Sequence, residues 1–131
     1  MKLNVLATDT APAAIGPYSQ AIQAGELLFC SGQIPLDPAT GELVAGDVKV
    51  QAGQVMRNIE AMLAAAGAGF GDVIKTTIFL ADMADFAAVN EVYGSCFTAH
   101  KPARSTVAVK GLPRGALLEI EIIARVSGTR D

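Results

Sequence analysis

Residues 117–126 read LLEIEIIARV, and no other stretch limits the fold as tightly. Side chains of a strand alternate between the two faces of its sheet. Leu118, Ile120, Ile122, Ala124 and Val126 therefore share one side, and Glu119 and Glu121 the other. An unbroken apolar row is the side that helices cover, so the chain calls for a sheet packed on one face and carrying two carboxylates on its opposite face.

The rest of the sequence supplies the helices. From Asp47, a plausible N-cap, Val48, Ala52, Val55, Ile59, Met62, Leu63 and Ala66 recur at helical spacing, and Gly67 supplies the stop. A second helix is expected from about residue 83 to 99, with Phe86, Val89, Tyr93 and Phe97 as its apolar stripe. Strands are expected over 18–24 and 26–33, a hairpin turning at Ala24-Gly25, then over 73–81, around Arg104, and over 117–126. The order is ββαβαββ, with room for a further short strand at residues 3–6. Strands joined by crossover helices form one mixed sheet with both helices on one face, an α+β architecture. A chain of 131 residues is one domain, 1–131, with no repeat or linker.

Such a two-layer arrangement leaves the second face of the sheet bare. Parity assigns its contents. In the strand over 73–81, Ile74, Ile78 and Leu80 are expected inward and Lys75, Thr77 and Phe79 outward; in the next, Val107 and Val109 inward and Arg104, Thr106 and Ala108 outward, on the face of Glu119 and Glu121. Hydrophobic residues make up 51% of the chain and charged residues only 18%. A mixed polar and apolar face on a chain so short of surface charge reads as a subunit interface. Net charge of −3 removes general attraction to phosphate backbones, and no apolar run approaches the length needed to span a bilayer. The N-terminal stretch resembles neither a signal nor a transit peptide, so the expected compartment is the cytoplasm. Cys30 and Cys96, far apart in apolar stretches, are expected to be buried free thiols.

Chemistry narrows to one cation, carboxylates and a hydroxyl. In KPARSTVAV, residues 101–109, the Arg104 guanidinium can bind a carboxylate through two parallel hydrogen bonds, and Glu119 or Glu121 can hold or deprotonate a water. An Arg–Glu ion pair stapling subunits fits the same spacing. GAGFGD, residues 67–72, follows a helix and precedes a strand, the reverse of a dinucleotide-binding loop, and reads as a helix stop and turn. His100, the one histidine, is expected to cap a helix end. No residue set has metal-ligand spacing, Ser31 and Ser105 lack a histidine partner, and Tyr18 fits either the core or a site rim.

IGPYSQA at 15–21, SGQIP at 31–35, KTTIFLADMADFAAVN at 75–90, KPARSTV at 101–107 and LPRGALLEIEIIA at 112–124 resemble, in order and over nearly the whole chain, the RidA (YjgF) family of reactive intermediate deaminases. The resemblance implies a chorismate-mutase-like α+β fold assembled as a homotrimer with clefts between subunits. It also implies hydrolysis of 2-imino or 2-enamino acids, such as 2-aminoacrylate and 2-iminobutanoate, to 2-keto acids and ammonia, without cofactor or metal. By motif position Arg104 would clamp the substrate carboxylate, Glu119 orient the water and Tyr18 approach from across the cleft. Ser31, Gly32, Asn90 and the backbone of Thr106 would line it. Many relatives carry cysteine where this chain has Thr106. Two other readings stand beside the deaminase: a non-catalytic trimeric module binding small carboxylates, and a ribonuclease or translation inhibitor, which the acidic charge, the single histidine and the lack of a basic aromatic surface oppose.

Overall fold

In the computed structural model, which describes residues 2–127, the 117–126 stretch forms an inner strand of a six-stranded sheet. In chain order the strands are β1 (Leu3–Leu6), β2 (Ala21–Ala24), β3 (Leu27–Gln33), β4 (Val73–Leu80), β5 (Ala103–Ala108) and β6 (Leu118–Arg125). The helices are α1 (Val48–Ala65) and α2 (Phe86–Cys96). Spatial order is β1-β2-β3-β6-β4-β5, antiparallel throughout except for β4 and β5, which run parallel because α2 crosses between them. The α+β class, the single mixed sheet, the two helices and the short first strand are as expected.

Local chemistry accounts for the elements. The Asp47 carboxylate accepts from the Val50 N–H at 3.0 Å, and Gly67 follows the helix at φ 74°. The whole anticipated stripe of α1, Val48 through Ala66, is buried against β3, β6 and α2. Leu118, Ile120, Ile122 and Ala124 are buried beneath the helices as parity requires. The hairpin turns through Gly25, at φ 62°. Residues 67–72 stop α1 and enter a short 3-10 turn, Phe70–Asp72, consistent with a stop and not a phosphate loop. Cys30 is buried and Cys96 half-buried, both as free thiols.

Several expectations fail, each for an identifiable reason. β2 starts at Ala21, because the Gln20 side chain is buried and holds residues 8–12: its amide accepts from the Thr8 N–H and donates to the Thr8, Ala11 and Pro12 carbonyls. The second helix is preceded by a 3-10 turn and ends at Cys96, so His100 caps nothing; its Nε2 lies 2.7 Å from the Val73 carbonyl, while Lys101 donates to the Phe97 carbonyl. Ile74 is exposed because it is the extra residue of a β-bulge between Val73 and Lys75, which turns Val73 inward.

The largest correction concerns β5. Its register pairs Arg104 with Thr76, Thr106 with Ile78 and Ala108 with Leu80. Thr76, Ile78 and Leu80 are buried under the helices, so Arg104, Thr106 and Ala108 stand on the helix side of the sheet. Val107, expected in the core, pairs with Phe79 on the open face and is 44% exposed; Val109 lies half-buried beyond the strand. Parity misleads here because β5 is an edge strand and the open face is itself apolar, carrying Val5, Leu27, Phe29 and Val107. A valine in β5 does not mark the covered side.

Candidate active site

The predicted site residues fall into two groups on opposite faces of the sheet. On the open face, Glu119 of β6 pairs with Phe79 of β4. Beside it β3 bulges between Cys30 and Gln33, which places Ser31 and Gly32 next to the carboxylate. Gly32 has no Cβ, and a methyl group there would overlap the Glu119 carboxyl group. The Ser31 hydroxyl donates to the Ser19 carbonyl at 2.6 Å and its N–H to the Gln20 carbonyl at 3.0 Å, tying the bulge to the segment that carries Tyr18. Gly16, at φ 126°, turns that segment, and Tyr18 stands 53% exposed at its tip.

Tyr18, Ser31, Gly32, Ile34, Pro113 and Glu119 line a cleft of about 290 Å³. Ile34 and Pro113 were not among the residues singled out from sequence; the SGQIP and LPRG turns were the available signal. Burial, with the Glu121 charge in support, pushes the Glu119 carboxyl above the ordinary glutamate range. Such a group exchanges protons closer to neutral pH. Neither thiol competes as a nucleophile, since burial pushes Cys30 up to about 12 and raises Cys96 as well.

Arg104 belongs to the second group. One guanidinium nitrogen, Nη1, donates to Asn90 Oδ1 on α2. The guanidinium carbon lies 5.1 Å from the centroid of the Tyr93 ring and 5.6 Å from that of Phe86. Tyr93 is buried, and its hydroxyl meets Thr76 Oγ1 at 2.8 Å. Two residues along β5, the Thr106 hydroxyl is buried with no hydrogen-bond partner among the described residues. Arg104 makes no ion pair among the described residues; the pairs there are Lys49–Glu91 and Arg125–Asp72. Thus Arg104, Asn90 and Thr106 come together, as do Tyr18, Ser31, Gly32 and Glu119, and β4 separates the two groups within one chain.

A sequence profile of the family described as Endoribonuclease L-PSP matches residues 8–126. The 2-iminobutanoate/2-iminopropanoate deaminases of Mus musculus and Salmonella typhimurium are each 51% identical to this chain, over 121 and 124 residues. Both alignments cover 92% of the chain, and they cover 90% and 96% of those proteins. The chain belongs to the RidA (YjgF/L-PSP) family. Its fold matches RidA-family structures closely: the crystal structure of Escherichia coli TdcF with bound serine superposes with a TM-score of 0.90 at 47% identity, covering 95% of this chain and 99% of that one. Among the described residues no helix is long and apolar enough to cross a membrane.

Proposed function

We propose that this chain hydrolyses 2-imino acids and their 2-enamino tautomers, such as 2-iminobutanoate and 2-aminoacrylate, to 2-keto acids and ammonia. The reaction takes place in clefts shared by neighbouring subunits of a homotrimer. The observation that carries this reading is the division of the candidate residues: the Arg104 guanidinium and the cleft holding Glu119 lie on opposite faces of one sheet and cannot meet inside one subunit. The apolar open face supports the assembly, since Val5, Leu27, Phe29 and Val107 are each at least 40% exposed in the single chain. The deaminase names of relatives at 51% identity support the chemistry.

A protonated imine is already electrophilic at C2, so its hydrolysis requires orientation, water and proton transfer. Arg104 of one subunit holds the substrate carboxylate. Glu119 of the next takes a proton from water as the water oxygen bonds to C2, then returns it to the nitrogen of the resulting carbinolamine. Glu119, ionised again, takes the carbinolamine hydroxyl proton as the C–N bond breaks; C2–O becomes the keto group, and the departing ammonia carries that proton away as ammonium. Tyr18 supplies a hydroxyl at the rim of the cleft, and Ile34 and Pro113 give an apolar wall suited to a small side chain.

The test is a coupled assay in which threonine dehydratase releases 2-iminobutanoate from threonine. Added protein should accelerate the appearance of 2-ketobutyrate, and a rate equal to the uncatalysed one overturns the proposal. Glu119→Gln separates an enzyme from a carboxylate-binding module: turnover should collapse while 2-ketobutyrate still binds.

Two predictions follow from the surroundings of Glu119. Its base form is lost as pH falls through its raised pKa, so activity should decline on the acid side. Glu121→Gln removes the like charge and should move that limb to lower pH, though only in part, because burial is the larger cause of the shift. An unmoved limb would show that Glu119 does not set it. Gly32→Ala forces the Glu119 carboxyl out of place; only the end of a flexible side chain has to yield, so the melting temperature should change little. Displacing the base should lower kcat/KM by about a hundred-fold.

A further inference from the structure

Phe86, Asn90 and Tyr93 occupy positions i, i+4 and i+7 of α2 and so form one stripe of the helix. All three meet the Arg104 guanidinium: Asn90 Oδ1 accepts a hydrogen bond from Nη1, and the two rings face the cation. The stripe is itself anchored to the strand beside Arg104. Thr76, the register partner of Arg104 on β4, bonds the Tyr93 hydroxyl at 2.8 Å, and Tyr93 packs on Phe97 with centroids 4.7 Å apart. Phe86 is different. It belongs to the expected apolar stripe of the helix, yet it is 37% exposed, and the Arg104 guanidinium lies beside its ring.

An exposed arginine ordinarily samples many rotamers, and holding it in one of them removes an entropy loss that ligand binding would otherwise incur. With Nη1 committed to Asn90, the Nε and Nη2 donors carry no hydrogen bond among the described residues. Those two nitrogens make the side-on edge of the fork, which matches the two oxygens of a carboxylate. We propose that the Phe86–Asn90–Tyr93 stripe is a rack that fixes Arg104 and leaves its Nε–Nη2 edge for the carboxylate, so that Phe86 and Tyr93 are positioning residues for carboxylate recognition. The role rests on the proposed use of Arg104 as the substrate clamp, but it concerns binding and not the hydrolytic step.

The experiment is calorimetric titration of the intact protein with 2-ketobutyrate, a carboxylate that the reaction leaves unchanged, using Phe86→Leu and Phe86→Trp. An aliphatic side chain keeps the apolar contact and loses the negative ring face, whereas indole strengthens it. Affinity should rank Trp at or above Phe and Phe above Leu, with Leu weaker by about five-fold. The change should appear in KM with kcat retained, and oligomeric state and melting temperature should hold. Equal affinity across the three proteins overturns the rack, as does a melting temperature that falls while affinity is unchanged. If the ranking appears while the native protein fails to hydrolyse 2-iminobutanoate, the rack stands and the proposed activity falls; a flat ranking with full activity gives the converse.

Discussion

Arg104→Ala should lower kcat/KM for 2-iminobutanoate by about a thousand-fold, because the substrate carboxylate loses two charge-assisted hydrogen bonds at once. The protein should nonetheless remain folded and assembled. Arg104 is exposed, and among the described residues its one side-chain hydrogen bond goes to the exposed Asn90 and it makes no ion pair. Removing it therefore leaves no buried charge unpaired, and the melting temperature should stay within about 4 °C. Lysine will not substitute: it offers a point charge without the planar fork, and it cannot occupy the rack in the same way, so Arg104→Lys should recover only a small part of the loss. The measurements are the coupled 2-ketobutyrate assay, thermal unfolding and sedimentation. Full activity in Arg104→Ala would end the carboxylate role. Dissociation into monomers would point instead to an ion pair between subunits, the other use that the sequence allowed for this arginine.

How far the site could be read from sequence depends on where each residue sits in the sheet. In β6 parity works because the strand is central: β3 and β4 flank it, helices cover one side, and Leu118, Ile120, Ile122 and Ala124 have no alternative place to go. In β5 the same counting put Arg104 on the wrong face. An edge strand beside an apolar open face has hydrophobic residues on both sides, so Val107 carried no information about which side was covered. Bulges remove parity altogether. One extra residue at Ile74 and another between Cys30 and Gln33 reverse the alternation without any signature in composition, and the second of these builds the cleft around Glu119. Gly32 illustrates the gap: in SGQIP it reads as one more turn residue, whereas in the fold its missing Cβ is the space that the Glu119 carboxyl fills. The family motifs named the residues; the register places them in two groups on opposite faces of the sheet.

That division makes mixed assemblies the sharpest test of the shared cleft. Take Arg104→Ala and Glu119→Gln, each inactive alone, and express them together so that subunits assemble at random in equal amounts. Under the proposed shared cleft, every site of a closed ring would draw Arg104 from one subunit and Glu119 from its neighbour. A site is intact when an Arg104-bearing chain precedes a Glu119-bearing chain, which happens with a chance of one half for each, so about one quarter of native activity should return. Were both residues drawn from the same chain, every site in the mixture would carry one lesion and none would recover. Neither substitution removes the exposed apolar side chains Phe29 and Val107, and Glu119→Gln keeps the shape of the side chain it replaces, so both should enter mixed particles equally, which differently tagged chains and native mass spectrometry can verify together with the expected three copies per particle. Mixed particles without regained activity would refute a cleft shared between subunits even if each single substitution behaves as expected. Recovery near a quarter would join the two faces of the sheet into one site, with the fork given by one subunit and the base by the next.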